Sequence, residues 1–298
     1  MIRLDDTSGS AVAAAIAEER RRLGSPATGM VLTLLILSDE DNASDATNAA
    51  VEAARQHPMR IVTLIPRPGK VAARLDAQIS VGGDQGPGEV AELRLRGELA
   101  DFANSVAVPL LLPDTPVVAF WPGECPAVPA DDHIGKHAQR RITDAAGCED
   151  PIEALRARSK GYRPGDTDLT WSRLTPWRSV LASALDHDTP TISSVRIDAE
   201  MGNPSALLLQ AWLRHCLEVD VSVIESEGPG ITAVCMNADE GEISVSRADG
   251  IHAVLSRPGV PDSPISLRRR DYAALVSEEL RRLDADEVYG RTITGLFQ

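Results

Sequence analysis

The chain has 298 residues, of which 43% are hydrophobic and 25% are charged, so it can bury a sizeable core in one large or two ordinary domains. Its net charge of −14 argues against general nucleic-acid binding and against binding to anionic membranes. The best apolar run, residues 30–37, is far shorter than the roughly twenty residues that a membrane-spanning helix needs. We therefore expect a cytoplasmic protein, whose four widely spaced cysteines form no disulfide framework.

Helix and strand patterns alternate along the first part of the chain. Ser8 or Ser10 is placed to cap a helix that runs to Leu23 and stops at Gly24. Continuous apolar runs predict buried strands at residues 30–37 and 60–65, and Asp41 or Asn42 is placed to cap an alanine-rich helix between them. We also predict a strand within residues 71–81, a helix over residues 89–104, and short apolar segments at residues 106–112 and 117–121. This alternation favours an α/β sheet with parallel members.

The rest of the chain predicts a helical middle segment and a second α/β unit. Pro176 suits the first turn of a helix that follows Thr175, and Asn203-Pro204 opens another helix. Strands are predicted at residues 192–197, 219–224, 231–237, 242–247 and 252–255, with an amphipathic helix at residues 271–283. The predicted fold is therefore two α/β units with mixed sheets joined by a helical, Pro-rich segment, with domains at residues 1–125, 126–190 and 191–298.

The segment at residues 166–186 carries the most informative side chains. It holds two of the four tryptophans in a chain that is only 3% aromatic, and residues 136–182 carry nine Lys/Arg against six acids. Tryptophan and arginine together are typical of the centres of protein interfaces. We therefore select Trp171, Arg173, Trp177 and Arg178 as candidates for a partner interface that is partly exposed. The alternative is that the tryptophans belong to the core.

Other candidate sites carry weaker patterns. His133 and His137 lie four residues apart, as zinc ligands on a helix can, but no glutamate follows the first histidine and no further ligand is evident. The turn at residues 202–205 opens a helix and could accept an anion, although helix capping explains it fully. We find no G-x-S-x-G motif and no dinucleotide-binding fingerprint after a predicted strand, and we predict no catalytic, cofactor-binding or metal-binding residues.

Several segments, taken together and in order, resemble the OpcA family, the glucose-6-phosphate dehydrogenase assembly protein. They are residues 57–60 (HPMR), 112–117 (LPDTPV) leading to 120–122 (FWP), 168–178 (DLTWSRLTPWR), 202–206 (GNPSA) and 279–284 (ELRRLD). The family usually shows paired tryptophans where this chain has Phe120-Trp121. The resemblance covers nearly the whole chain.

The resemblance implies a non-catalytic assembly factor or allosteric activator of glucose-6-phosphate dehydrogenase, which feeds the oxidative pentose phosphate pathway of carbohydrate metabolism. The dehydrogenase would be its partner, through protein–protein interaction. Two alternatives remain open. One is a sugar-phosphate-processing hydrolase, such as a lactonase, that uses the region of His133 and His137. The other is an anion- or sugar-phosphate-sensing module with its site at residues 202–205.

Overall fold

The computed structural model describes residues 1–24, 29–82, 88–186 and 190–297. Within these residues, the strands form two mixed sheets, one of eight strands and one of six. The chain divides into two compact units. Unit 1 comprises residues Met1–Gly147, Arg163–Thr167 and Asp271–Asp286, and unit 2 comprises residues Cys148–Tyr162, Asp168–Arg270 and Glu287–Gln298.

The strands and helices follow in chain order. The strands of the larger sheet are β1 (Ile2–Leu4), β2 (Leu32–Leu37), β3 (Met59–Arg67), β4 (Arg74–Val81), β5 (Glu89–Arg96), β6 (Val117–Trp121), β7 (Arg140–Thr143) and β8 (Asp166–Asp168). The strands of the smaller sheet are β9 (Ile192–Ala199), β10 (Asp220–Glu225), β11 (Ile231–Ala238), β12 (Gly241–Ser246), β13 (His252–Arg257) and β14 (Val260–Ser266). The α-helices are α1 (Gly9–Leu23), α2 (Glu40–Ala53), α3 (Ala103–Ala107), α4 (Pro151–Gly161), α5 (Leu169–Ser172), α6 (Thr175–Leu185), α7 (Pro204–Leu217), α8 (Tyr272–Leu280) and α9 (Glu287–Gly295).

The sheet of unit 1 has the strand order β1-β4-β5-β3-β2-β6-β7-β8. Its central strands, from β5 through β3, β2 and β6 to β7, are parallel, and β1 and β4 add an antiparallel edge. Strand β2 is buried over almost its whole length, as expected of a parallel strand covered on both faces. The predicted α/β sheet with parallel members is confirmed here.

Helix packing in unit 1 follows from capping and small residues. Ser8 caps α1 by accepting a hydrogen bond from the backbone N–H of Ala11, and Gly24 ends the helix in a left-handed conformation. A Cβ atom at Gly9 would lie 2.6 Å from the carbonyl oxygen of Val106, so the helix start needs glycine at this close approach. Helix α2 is capped by Asp39, two residues earlier than the first predicted cap. The alanines of α2 lie buried against the sheet.

Buried ion pairs hold the far edge of unit 1. The guanidinium of Arg140 forms an ion pair with Glu279 of α8, and it also donates a 2.7 Å hydrogen bond to the carbonyl oxygen of Asp284. Arg141 forms an ion pair with Asp166 of β8. These carboxylates, which lie far along the sequence, allow an Arg-Arg pair to occupy a buried strand.

Unit 2 is built on the smaller sheet, with the strand order β10-β9-β11-β12-β13-β14. Strands β9 and β10 are parallel and are connected by α7, which makes a βαβ unit, and the remaining neighbours are antiparallel. Helix α7 lies against α4, α5 and α9 as well as against β9 and β10. The predicted second α/β unit with a mixed sheet is confirmed.

Two sequence-based expectations differ from the structure. The predicted helix over residues 89–104 is wrong, because Glu89–Arg96 forms strand β5 and only Ala103–Ala107 is α-helical. A helical, Pro-rich middle segment is not found, since residues 126–190 contribute strands β7 and β8 as well as helices α4, α5 and α6. The predicted domains at residues 1–125, 126–190 and 191–298 stay a prediction. Residues 126–190 are divided between both units, and residues 271–286 belong to unit 1.

Across the described ranges, we find no helix that is both long enough and apolar enough to cross a membrane.

Candidate functional site

The tryptophan–arginine segment, residues 166–186, lies mainly on α5 and α6. Asp168 caps α5, since its carboxylate accepts hydrogen bonds from the backbone N–H of Thr170 at 2.9 Å and from the hydroxyl of Thr170 at 2.6 Å. Pro176 lies in the first turn of α6, as predicted, but Leu174 rather than Thr175 occupies the cap position. These turns fix the direction in which both tryptophans point.

Both tryptophans belong to the core of unit 2. Trp171 is 1% exposed and Trp177 is 2% exposed, and the ring of Trp171 lies 5.8 Å from the ring of Tyr289 on α9. Leu181 and Ala184 are buried on the same face of α6 as Trp177, as the helical spacing predicts. The expectation that the tryptophans are partly exposed is therefore wrong.

Each tryptophan carries a guanidinium over its ring. Cζ of Arg178 lies 3.7 Å from the ring centroid of Trp171, and Arg178 also donates a 3.0 Å hydrogen bond to the hydroxyl of Thr175. Cζ of Arg247 lies 5.0 Å from the ring centroid of Trp177. Arg173 and Arg178 are half-buried. The structure thus places the predicted residues together in unit 2, with the tryptophans beneath and the arginines nearer the surface. Whether any of them contacts a partner stays a prediction.

An arginine-lined pocket lies next to this segment within unit 2. The pocket encloses a cavity of about 80 Å³ and opens to solvent. Among the residues that the structure describes, its lining includes five arginines and no acidic side chain. The lining residues are Arg173, Leu174, Trp177, Asn203, Ser205, Gly230, Ile231, Arg247, Arg268, Arg269 and Arg270.

Arg247 is the buried arginine of this pocket. It is 5% exposed, and its guanidinium donates hydrogen bonds of 2.7 Å to the carbonyl oxygen of Leu267 and 3.1 Å to that of Ile231. Its Nε is buried and has no hydrogen-bond partner among the described residues. Burial, followed by the nearby charge of Arg269, lowers the pKa of Arg247 to about 10, while Asp249 acts in the opposite direction. Arg247 therefore remains charged at neutral pH in surroundings that disfavour positive charge.

The start of α7 forms another part of the lining. Asn203 caps the helix by accepting a hydrogen bond from the backbone N–H of Ala206, and the hydroxyl of Ser205 donates to the carbonyl oxygen of Thr170 at 3.2 Å. The predicted anion turn at residues 202–205 thus contributes Asn203 and Ser205 to the pocket. Sequence analysis missed Arg247 and Arg268–Arg270. The run of three consecutive arginines at residues 268–270 is the signal that could have indicated them.

His133 and His137 lie in unit 1, where both are exposed. His137 ends a short 3-10 helix, Gly135–His137, so the pair does not share the regular α-helical face that the spacing suggested. Within the described part of the chain, no group of three or more His, Cys, Asp and Glu side chains is placed to hold a metal ion. A hydrolase site at these histidines stays an untested alternative.

Comparison with known proteins identifies the family to which the chain belongs. Residues 164–293 match the C-terminal domain of a glucose-6-phosphate dehydrogenase subunit, and residues 50–160 match the N-terminal domain of the same subunit. The two matches together span most of the chain. The chain belongs to this family of glucose-6-phosphate dehydrogenase subunits, the OpcA family, and the resemblance drawn from the sequence is confirmed.

A curated relative points to the same family. The chain is 26% identical over 181 residues to the putative OxPP cycle protein OpcA of Synechocystis sp., which covers 55% of this chain and 38% of that relative. The aligned part therefore spans about two fifths of the relative's length.

Two solved structures resemble the chain more distantly. An oxidoreductase from Sinorhizobium meliloti matches with a TM-score of 0.43 and 8% identity over 88% of this chain and 86% of the other. An E. coli structure described as trehalose-6-phosphate bound with UDP-2-fluoro glucose matches with a TM-score of 0.26 and 9% identity over 66% of this chain and 65% of the other. Neither likeness supports an argument about function.

Proposed function

We propose that this chain is a non-catalytic assembly subunit of glucose-6-phosphate dehydrogenase and that it supports the oxidative pentose phosphate pathway from the cytoplasm. The observation that carries the proposal is the match of residues 50–160 and 164–293 to the two domains of a glucose-6-phosphate dehydrogenase subunit. The Synechocystis relative is named as a putative OxPP cycle protein, which supports the same pathway. The cytoplasmic location rests on the sequence-based expectation alone.

A non-catalytic subunit can raise activity by mass action. If it binds the active dehydrogenase assembly more tightly than the inactive form, it shifts the equilibrium toward the active one by its difference in affinity. A hundredfold difference corresponds to about 2.7 kcal/mol. This role requires a contact surface and no reacting groups of its own.

We propose that Arg173 and Arg178 form part of this contact surface and that Trp171 and Trp177 support them from below. Arginine is enriched among residues that dominate binding energy at protein interfaces, because its planar fork forms several hydrogen bonds at once. Both arginines are half-buried, and Arg178 is oriented by the Trp171 ring at 3.7 Å. An oriented side chain loses less conformational entropy when it binds a partner.

The test is reconstitution with the dehydrogenase from the same cell. The purified chain should co-purify with the dehydrogenase, and adding it should change the oligomeric state or the kcat/KM of the dehydrogenase in a saturable way. Heat-denatured chain is the control for non-specific protein effects. A dehydrogenase whose assembly and kinetics are unchanged at a large excess of folded chain would contradict the proposal.

A further inference from the structure

The arginine-lined pocket has no acidic side chain among its described lining residues. Arg247, Arg268 and Arg269 have no ion pair within 4.0 Å among the residues for which the structure gives positions. This is unusual in a chain of net charge −14, where acidic side chains outnumber basic ones by 44 to 30. A pocket of this kind concentrates anions from solution.

Arg247 is the strongest single indication of a ligand. A buried cation normally needs a carboxylate or another anion, because leaving its charge uncompensated is costly. Here its visible partners are two neutral backbone carbonyls, and its Nε has no partner within the described chain. Of the charged groups that act on it, Arg269 disfavours its charge, whereas Asp249 favours it. The Asp249 carboxylate itself accepts hydrogen bonds from Ile251 and His252.

The neutral groups of the lining also suit an anion. The N-terminal end of α7 contributes the positive end of a helix dipole, and Asn203 and Ser205 line the pocket beside it. Gly230 has φ +69°, and a Cβ atom there would lie 3.8 Å from Nδ2 of Asn203 and 4.0 Å from Cζ of Arg269. A glycine at this position leaves the space between the amide and the guanidinium open. The Glu200 carboxylate accepts a 3.1 Å hydrogen bond from the Gly230 backbone N–H, and Glu200 is not part of the lining.

We propose that this pocket binds the phosphate group of a small phosphorylated molecule, held by Arg247, Arg268 and Arg269 together with the start of α7. Phosphate fits better than a single carboxylate, because it offers several oxygens to several guanidinium forks and to a helix N-terminus at once. The inference concerns the isolated chain and does not depend on the dehydrogenase.

The experiment is isothermal titration calorimetry of the isolated chain with inorganic phosphate, with glucose 6-phosphate and with glucose, at low and at moderate salt. Both phosphate-bearing probes should bind, and glucose should not. Tighter binding of glucose 6-phosphate than of inorganic phosphate would identify an organic phosphate as the ligand, and equal binding would identify free phosphate.

Variants locate the site. Arg268 and Arg269 are exposed, so Arg268→Ala/Arg269→Ala should leave the fold intact and weaken phosphate binding about tenfold or more. Arg257→Ala is the matched control, because it removes an arginine from the same unit that does not line the pocket. Arg247→Lys keeps the charge but loses the planar fork, and it should also weaken binding.

Three results would overturn the proposal. The first is an absence of phosphate binding at millimolar concentration at low salt. The second is an equal loss of binding in the pocket variant and in the Arg257 control, which would indicate only general charge attraction. The third is a pocket variant that loses the dehydrogenase while wild type binds no phosphate, which would assign these arginines to the protein interface instead.

Discussion

Trp171 and Arg178 separate the two roles of the tryptophan–arginine segment, because one is core and the other is half-buried. Trp171→Ala removes a side chain that is 1% exposed and should lower the free energy of unfolding by about 3–5 kcal/mol. Arg178→Ala removes a guanidinium that lies 3.7 Å from the ring centroid of Trp171, and it should cost less stability than Trp171→Ala because Arg178 is only half-buried. Since domains are commonly stable by about 5–15 kcal/mol, both variants should still fold at low temperature.

The effects on affinity for the dehydrogenase should follow the opposite order, with the arginine variants affected more than the tryptophan variant. If Arg178 and Arg173 contact the dehydrogenase, each alanine variant should lose about 2 kcal/mol of binding free energy, or roughly thirtyfold in affinity. Part of that loss reflects partner groups left without a hydrogen bond. Trp171→Phe retains an aromatic platform and should keep most of the affinity.

The assay is denaturant unfolding and dehydrogenase binding on the same protein preparations, with affinities compared at equal concentrations of folded chain. Arg257→Ala serves as the control for loss of one positive charge in unit 2. If both Arg173→Ala and Arg178→Ala lower stability but leave affinity unchanged, the interface proposal is refuted and the segment is purely structural.

Three further predictions concern activity, metal content and cysteines. The purified chain alone should not reduce NADP with glucose 6-phosphate; turnover that follows the chain through gel filtration would contradict this. Elemental analysis should find no near-stoichiometric zinc or iron, and metal that is lost in His133→Ala/His137→Ala would disprove this expectation. Maleimide should label the exposed Cys216 before the buried Cys148 and Cys235 at neutral pH; desolvation raises the pKa of both the Cys216 and the Cys235 thiols, so exposure decides the order, and mass spectrometry that shows Cys235 labelled first would refute it.

Capping and continuous apolar runs allowed much of the fold to be predicted. Ser8 with Gly24, and Asn203 with Pro204, mark real helix ends, because each cap satisfies backbone groups locally. The run at residues 30–37 contains the buried central strand β2. Such signals need no knowledge of distant parts of the chain.

The helix predicted over strand β5 is wrong because it rests on local helix propensity. The residues of β5, EVAELRLR, include good helix formers, yet from Ala91 onward they alternate between buried and half-buried positions. Pairing with β3 on one side and with β4 on the other outweighs the helical preference. Glu89 at its start is buried because Arg60 forms a 2.6 Å ion pair with it. A partner this distant in sequence could not be inferred from the chain alone.

The pocket was only partly predictable for the same reason. Asn203 and Ser205 lie in a turn that sequence analysis had selected, but Arg247 is a lone arginine after a strand and gave no signal. Arg247 lines the pocket only because β11, β12 and the start of α7 pack together in the folded unit. The tryptophans were selected correctly as informative, but their burial depends on Tyr289 and other residues far along the chain.

Because the two units are interleaved along the sequence, the order of synthesis and the position of a truncation both affect the folding of unit 1. Unit 1 takes residues Asp271–Asp286 from near the end of the sequence, and the buried guanidinium of Arg140 receives its carboxylate only when α8 arrives. During synthesis, strand β7 of unit 1 therefore lacks the carboxylate partner of Arg140 until Glu279 has emerged from the ribosome. A truncation at about residue 160, where the two family matches meet, would yield a fragment that lacks this closing helix. Such a fragment should be prone to aggregation rather than behave as an independent domain.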